Sequence, residues 1–226
     1  MQEINRAELK RLAKAKFTGN YWPCVVVLLI SALLSISIAA MRFDGIALRL
    51  GDAKSTYAVY HLLKDDNLLV ILSMILNILI IGPLTAGLQR FYLLNTEESQ
   101  EFSTLFYYFT SWDNYKLAFC RVWLMLIKIE AWSLLLCVPG VVKALEYGLV
   151  IPITTIHPEL DRKEVYALSK KLMYGYKWQL FVLYLSFIPW LIATVLTFGL
   201  VGVFYATPYM YATYGEFWRS RLAEIQ

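Results

Sequence analysis

From Trp178 to Gly215 the chain carries no Asp, Glu, Lys or Arg over 38 consecutive residues. As one helix that run would extend roughly 57 Å at about 1.5 Å per residue, nearly twice the ~30 Å hydrocarbon core of a bilayer. A membrane accommodates such a run only if it turns back on itself with its backbone hydrogen bonds kept inside helices. Phe198-Gly199-Leu200-Val201-Gly202 marks the turn, because glycine adopts the positive φ that closes a short helical hairpin. Two spans follow, about 178–198 and 202–218.

The same length argument applies along the rest of the chain. Phe17 to Met41 is free of charge, and ten Val, Leu or Ile side chains between Val25 and Ile38 favour insertion by roughly 3 to 6 kcal/mol. Asn67 to Gln89 is a second charge-free run. Leu117 to Ile156 is again too long for one crossing, and Val138-Pro139-Gly140 interrupts it with a turn pair. The spans are therefore expected at about 21–41, 67–89, 117–138, 141–156, 178–198 and 202–218, with 42–66 as an outer loop. The expected fold is an all-α polytopic membrane protein, residues 1–226 forming a single membrane domain of six transmembrane helices in three hairpins.

Composition agrees, with 59% apolar and only 17% charged residues, which excludes a disordered chain. A net charge of +4 is too small a surplus for a nucleic-acid surface. Cys24, Cys120 and Cys137 are an odd number set in apolar sequence, which suggests neither disulfides nor zinc.

The cations fix the orientation. Fifteen lie in the segments that face the cytoplasm if both termini are inside (Arg6, Lys10, Arg11, Lys14, Lys16, Arg90, Lys116, Arg121, Arg162, Lys163, Lys170, Lys171, Lys177, Arg219 and Arg221). Four lie in the outer loop: Arg42, Arg49, Lys54 and Lys64. This is the positive-inside bias. A signal peptide cleaved after Ser37-Ile38-Ala39 is the competing reading; it would leave five spans and an external N-terminus.

Before the first span, Leu9, Leu12, Ala13 and Phe17 recur at helical spacing among Lys10, Arg11, Lys14 and Lys16. That pattern predicts a basic amphipathic helix over 1–20 lying on the inner leaflet. Val165, Leu168, Leu172 and Met173 repeat it with Lys170 and Lys171, and aligning Gly19 with Gly175 brings Trp22 onto Trp178. Phe102 to Tyr115 is a third such stretch, aromatic in character, with Ser111 in the glycine's place. Each returning span carries a proline, Pro83, Pro152 and Pro208, so the chain reads as three copies of one unit: surface helix, outgoing span, turn, returning span.

Lys128 and Glu130 in the third span, with Lys143 and Glu146 in the fourth, are the ionisable groups placed at membrane depth. Each costs about 2.5 to 3.5 kcal/mol there and requires a partner. Lys143 and Glu146 share a helix face at i, i+3, and Lys128 is expected to approach Glu146 across the hairpin. The set reads either as a polar binding interior or as an ion pair fixing hairpin register. Pro208 and Tyr209 complete the candidate binding set, because a kinked span beside Thr207 exposes polar backbone. Ser31, Ser35 and Ala39 form a small-residue packing seam. His61 and His157 fall on opposite sides of the membrane, and no P-loop, dinucleotide fingerprint or nucleophile elbow is present; no catalytic residue, metal or cofactor is expected.

Several local patterns together resemble a known family. They are Gly82-Pro83-Leu84 with Gly87 and Arg90-Phe91-Tyr92-Leu93; Phe102 with Leu105-Phe106 and Phe109; and Val138-Pro139-Gly140 with Lys143 and Tyr147. After them come Ala167, Ser169, Leu172-Met173, Gly175, Lys177, Leu185-Ser186-Phe187-Ile188-Pro189-Trp190, Thr197, Gly199 and Pro208-Tyr209. This order is similar to that of the bacterial integral membrane proteins grouped as domain of unknown function 975, over nearly the whole chain. The resemblance implies a multi-pass protein of the bacterial cytoplasmic membrane and supplies no activity to transfer. Val138 stands where the family pattern has Ile, and Glu146 lies outside the pattern.

The expected function is non-enzymatic: an inner-membrane protein acting through the anionic lipids of the inner leaflet, a protein partner or a second copy of itself, in envelope stress or peptide resistance. The alternative is a small transporter or channel subunit with a polar path near Lys128 and Glu146.

Overall fold

The computed structural model describes residues 5–34, 67–135 and 137–225. These are all-α, with no strand among them. The elements are α1 (Arg6–Gly19), α2 (Tyr21–Leu34), α3 (Asn67–Leu94), a 3₁₀ segment (Phe102–Phe109), α4 (Trp112–Leu135), α5 (Cys137–Glu146), α6 (Val150–Ile156), α7 (Arg162–Leu172), α8 (Lys177–Leu185), α9 (Ile188–Leu196), a π-helical turn (Gly202–Ala206) and α10 (Thr207–Leu222). The expected outer loop, 42–66, the end of the first span and the Ser37-Ile38-Ala39 site lie outside the described residues.

α1 is the amphipathic helix the spacing predicts. The Asn5 side chain accepts from the Ala7 N–H at 3.0 Å to cap it. Leu9, Ala13 and Phe17 are buried beneath it, while Arg11, Lys14 and Lys16 are exposed. The chain then bends by 90° into α2. Asn20 holds the bend, donating from Nδ2 to Asn95 Oδ1 at 2.6 Å and to the Gln100 carbonyl at 3.0 Å. α7 is built on the same principle. Asp161 and Glu164 form a reciprocal capping box, and Val165, Ser169, Leu172 and Met173 are buried. Gly175, at φ 83°, ends the segment.

The three surface segments share one mode of packing. α1 lies on α10, the 3₁₀ segment on α3, and α7 on α6. Each therefore rests on the returning helix of another hairpin, and the first hairpin's surface helix meets the last hairpin's return. α3 joins the set by packing against both α6 and α10. Close approach is secured by small residues: a Cβ on Gly87 would sit 1.9 Å from the Leu105 carbonyl oxygen, and one on Gly215 2.6 Å from that of Tyr92.

Proline frees a carbonyl in each returning segment. A proline has no N–H for the carbonyl four residues earlier, so that oxygen requires another donor. For Pro83 it is Leu79, whose carbonyl accepts from the Tyr115 hydroxyl at 3.0 Å. For Pro208 it is Phe204, whose carbonyl accepts from the Tyr21 hydroxyl at 3.0 Å. For Pro152 it is Gly148, and there the helix breaks between Glu146 and Val150.

Several boundaries differ from the sequence reading, among them the expected span 178–198, which is α8 and α9 with a break at 186–187. Val138-Pro139-Gly140 is not a turn but the opening of α5, where proline is tolerated because first-turn N–H groups have no helical partner. The expected span 141–156 is not one helix but α5 and α6, separated by the break before Pro152. The turn at 198–202 is present, with Phe198 at φ 50° and Gly199 at φ 90°.

Among the described residues, Ile75–Leu94 and Lys177–Leu196 are long and apolar enough to cross a membrane, and the bent pair α1–α2 makes a third if it is one span. α4 has the length, but Asp113, Lys116, Arg121, Lys128 and Glu130 interrupt its apolar sequence.

Candidate functional site

The polar residues singled out in the sequence separate into three places. The first is centred on Glu146, the last residue of α5, which is 4% exposed. Its Oε1 accepts from Lys143 Nζ at 2.9 Å, the i, i+3 pair expected on one helix face. Its Oε2 accepts from Lys177 Nζ at 2.6 Å, from the first residue of α8. The Ser169 hydroxyl of α7 donates to the Glu146 carbonyl at 2.8 Å. Glu146 thereby ties α5 to α8 through its carboxylate and to α7 through its backbone carbonyl. Two ammoniums share the carboxylate, so the cluster keeps a formal charge of +1.

Lys128 does not reach Glu146. Its ammonium lies 3.5 Å from the centroid of the Tyr166 ring and 5.8 Å from that of Tyr147. These two rings meet edge to face at 5.2 Å. The quadrupoles of the rings attract a cation without a carboxylate. The Tyr166 hydroxyl donates to the Arg121 carbonyl at 3.2 Å, and burial pushes its pKa up to about 12. Arg121 itself is buried, donating to Thr154 Oγ1 at 2.8 Å and to the Leu160 carbonyl at 2.5 Å. Glu130 is exposed on α4 and forms no ion pair among the described residues.

Pro208 and Tyr209 belong to an aromatic cluster instead. Tyr209 packs against Phe187, Trp190 and Tyr205 with centroids 5.6, 6.3 and 5.8 Å away. Its hydroxyl donates to the Lys10 carbonyl at 3.4 Å. Lys10 donates to the Ser186 carbonyl at 3.3 Å and lies over the Phe187 ring at 4.4 Å. Burial, with Arg6 adding repulsion, holds the Lys10 ammonium below its ordinary pKa. This cluster locks α1 onto the last hairpin.

The residues that sequence reasoning missed are Lys177 and Ser169. The signal was present in the alignment of the first and last surface helices. That register puts Leu9 on Val165, Ala13 on Ser169, Phe17 on Met173 and Tyr21 on Lys177; the first three pairs are buried in both copies. Tyr21 and Tyr115 each donate to a carbonyl that proline has freed in another hairpin, and Lys177 holds the corresponding place beside the break before Pro152. Tyr115 also corrects the middle register, lying two residues beyond the position that equating Ser111 with Gly19 would give.

Beside this cluster runs a groove of about 520 Å³ between α5 and α8, lined by Val138, Val141, Val142, Leu145, Lys177, Trp178 and Phe181. A smaller cavity of about 190 Å³ lies where the ends of α3, α6 and α10 converge, with Glu97, Thr155 and Arg219 in its wall.

No curated protein and no solved structure matches the chain. Residues 145–224, which include Glu146, Ser169 and Lys177, are matched by the model of the family described as Protein of unknown function (DUF975), the same family that the order of motifs resembles.

Proposed function

We propose that the chain is a multi-pass protein of the bacterial cytoplasmic membrane with both termini in the cytoplasm. Its action is non-enzymatic and runs through the anionic lipids of the inner leaflet. One observation carries this reading: the distribution of large apolar side chains is that of a protein solvated by hydrocarbon. α9 buries none of its residues. Leu134, Val195, Leu196 and Phe198 are 87%, 77%, 74% and 99% exposed, a surface far more apolar than water tolerates on a monomer. Meanwhile Arg121, Glu146 and Arg221 are buried.

The exposed cations support the lipid role. Arg11, Lys14 and Lys16 on α1, with Lys170 and Lys171 on α7, project from surface helices whose apolar faces are already covered by protein. A basic residue near an anionic surface contributes about 1 kcal/mol.

The test is labelling of single cysteines at each terminus in intact cells, combined with a count of anionic lipid retained on purification. Both termini should resist a membrane-impermeant reagent, and Lys14→Gln with Lys170→Gln and Lys171→Gln should lower the retained anionic lipid several-fold. Labelling of either terminus from outside overturns the topology. Unchanged retention in the triple variant overturns the lipid role.

A further inference from the structure

We infer that the groove between α5 and α8 is a binding site for one anionic phospholipid of the inner leaflet, with an acyl chain along the groove and the phosphate at Lys177. This rests on the membrane topology proposed above and adds to it a defined site and ligand class.

The groove has an apolar end and a cationic end. Val138, Val141, Val142 and Leu145 succeed one another along α5 over roughly 10 Å at the rise of an α-helix. Phe181 and Trp178 face them from α8. Val138, Val141 and Val142 remain 73%, 47% and 41% exposed, so protein leaves this wall uncovered. At the other end Lys177 contributes an ammonium, and Trp178 beside it is 71% exposed. An indole beside a lysine at the start of a span is the arrangement that sits at headgroup depth. An apolar slot leading to a cation matches a phospholipid lying parallel to α8.

Charge balance selects an anionic lipid. Glu146 neutralises one of the two ammoniums it contacts, which leaves one positive charge beside the groove. Comparison within the chain supports a ligand role for it. At the corresponding places Tyr21 and Tyr115 donate a neutral hydroxyl to a carbonyl that proline has freed. The third copy has a lysine in that place, and the groove opens beside it.

The experiment is a titration of the purified full chain in neutral detergent with phosphatidylglycerol and, separately, phosphatidylcholine of the same acyl length, read by Trp fluorescence and by native mass spectrometry. One phosphatidylglycerol should bind in preference to phosphatidylcholine. Lys177→Gln should weaken it about five-fold, the effect of one basic residue at an anionic surface. Val142→Phe, which fills the groove without disturbing the ion pairs, should weaken both lipids while leaving the unfolding temperature unchanged. Equal binding of the two lipids to wild type, or unaltered binding in Val142→Phe, overturns the site. A chain that integrates into bilayers with both termini inside and still shows no preference refutes this inference alone; failure to integrate refutes the reading beneath it.

Discussion

Glu146→Gln tests the cluster directly. In the wild-type chain the carboxylate accepts from two ammoniums at 2.6 and 2.9 Å. The amide retains one acceptor oxygen and turns an NH₂ toward the second lysine, which places donor against donor. Hydrogen bonds to a charged group contribute about 1.5 to 3 kcal/mol each. Lys177 and Lys143 keep 29% and 22% of their side-chain surface exposed, so water recovers part of what is lost. The net destabilisation should be about 2 to 3 kcal/mol, below the ~3 to 5 kcal/mol of a fully buried pair broken on one side. For a chain of this size that corresponds to roughly 4 to 12 °C in Tm. The assay is thermal unfolding in detergent followed by Trp fluorescence, carried out on Glu146→Gln, Lys177→Met and the double variant. Lys177→Met alone should lose about 1 to 2 kcal/mol, because Lys143 continues to partner the carboxylate. The cycle should show a coupling of at least about 1 kcal/mol. A Glu146→Gln protein within about 0.5 kcal/mol of wild type, or strict additivity, would refute the claim that this carboxylate joins α5 to α8.

Gly87→Ala should lower stability by about 1 to 3 kcal/mol, because its Cβ would meet the Leu105 carbonyl at 1.9 Å and force the 3₁₀ segment off α3. Gly19→Ala, with nothing within 4 Å of the added carbon, should instead be neutral or gain up to about 1 kcal/mol in the same unfolding assay. Tyr21→Phe and Tyr115→Phe each strip the donor from a carbonyl that proline has freed; each should cost about 1 kcal/mol, and an unchanged Tm in both would remove the proposed role of the hydroxyls. The backbone N–H groups of Arg162 and Lys163 hold the Asp161 carboxyl below its ordinary pKa. Its capping contribution is therefore complete above the ordinary aspartate range and is lost as pH falls through the lowered folded value. The protection of the amides at the start of α7, taken relative to the intrinsic exchange rate at each pH, should fall below the ordinary aspartate range in wild type more than in Asp161→Asn, which caps without titrating.

What could be read from the sequence was set by how local the signal is. The buried stripes Leu9-Ala13-Phe17 and Val165-Ser169-Leu172 are periodic within a single helix, and the surface helices stand where the spacing places them. The Lys143–Glu146 pair is local too, and it forms. Lys177 meets Glu146 across 31 residues, and no spacing rule connects two elements whose packing is not yet known. Lys128 shows the converse error. Its spacing predicts an approach to Glu146, whereas its ammonium lies over the Tyr166 ring of the surface helix α7, with Tyr147 beside it. Pro139-Gly140 misled because a proline in the first turn of a helix and a proline in a tight turn leave the same local signature. The sequence alignment was anchored on Gly19 and Gly175, yet only Gly175 adopts a positive φ. What recurs is the buried stripe, because packing on a neighbour constrains the face while the exit from the helix is free to vary.

The recurring stripe has a structural reason in the carbonyls that proline frees. A returning helix that contains proline leaves one carbonyl without its helical donor, and in this chain the donor comes from the start of another hairpin's outgoing helix: Tyr115 for Pro83, inside the continuous α3, and Tyr21 for Pro208. The surface segment just before that residue lies on the same returning helix, as α1 does on α10 and the 3₁₀ segment on α3. Each hairpin is thus completed by the entry of another, and the last is completed by the first. No hairpin is then an independent folding unit. A chain ending before α10 leaves Leu9, Ala13 and Phe17 without the helix that covers them, and a chain beginning after Tyr21 leaves the Phe204 carbonyl without its donor. The third junction follows the same geometry, with α7 on α6, but uses a lysine and a carboxylate in place of a hydroxyl and a carbonyl. A charged junction costs more to desolvate than a neutral one, and here two ammoniums offset that cost by sharing one carboxylate at 2.6 and 2.9 Å.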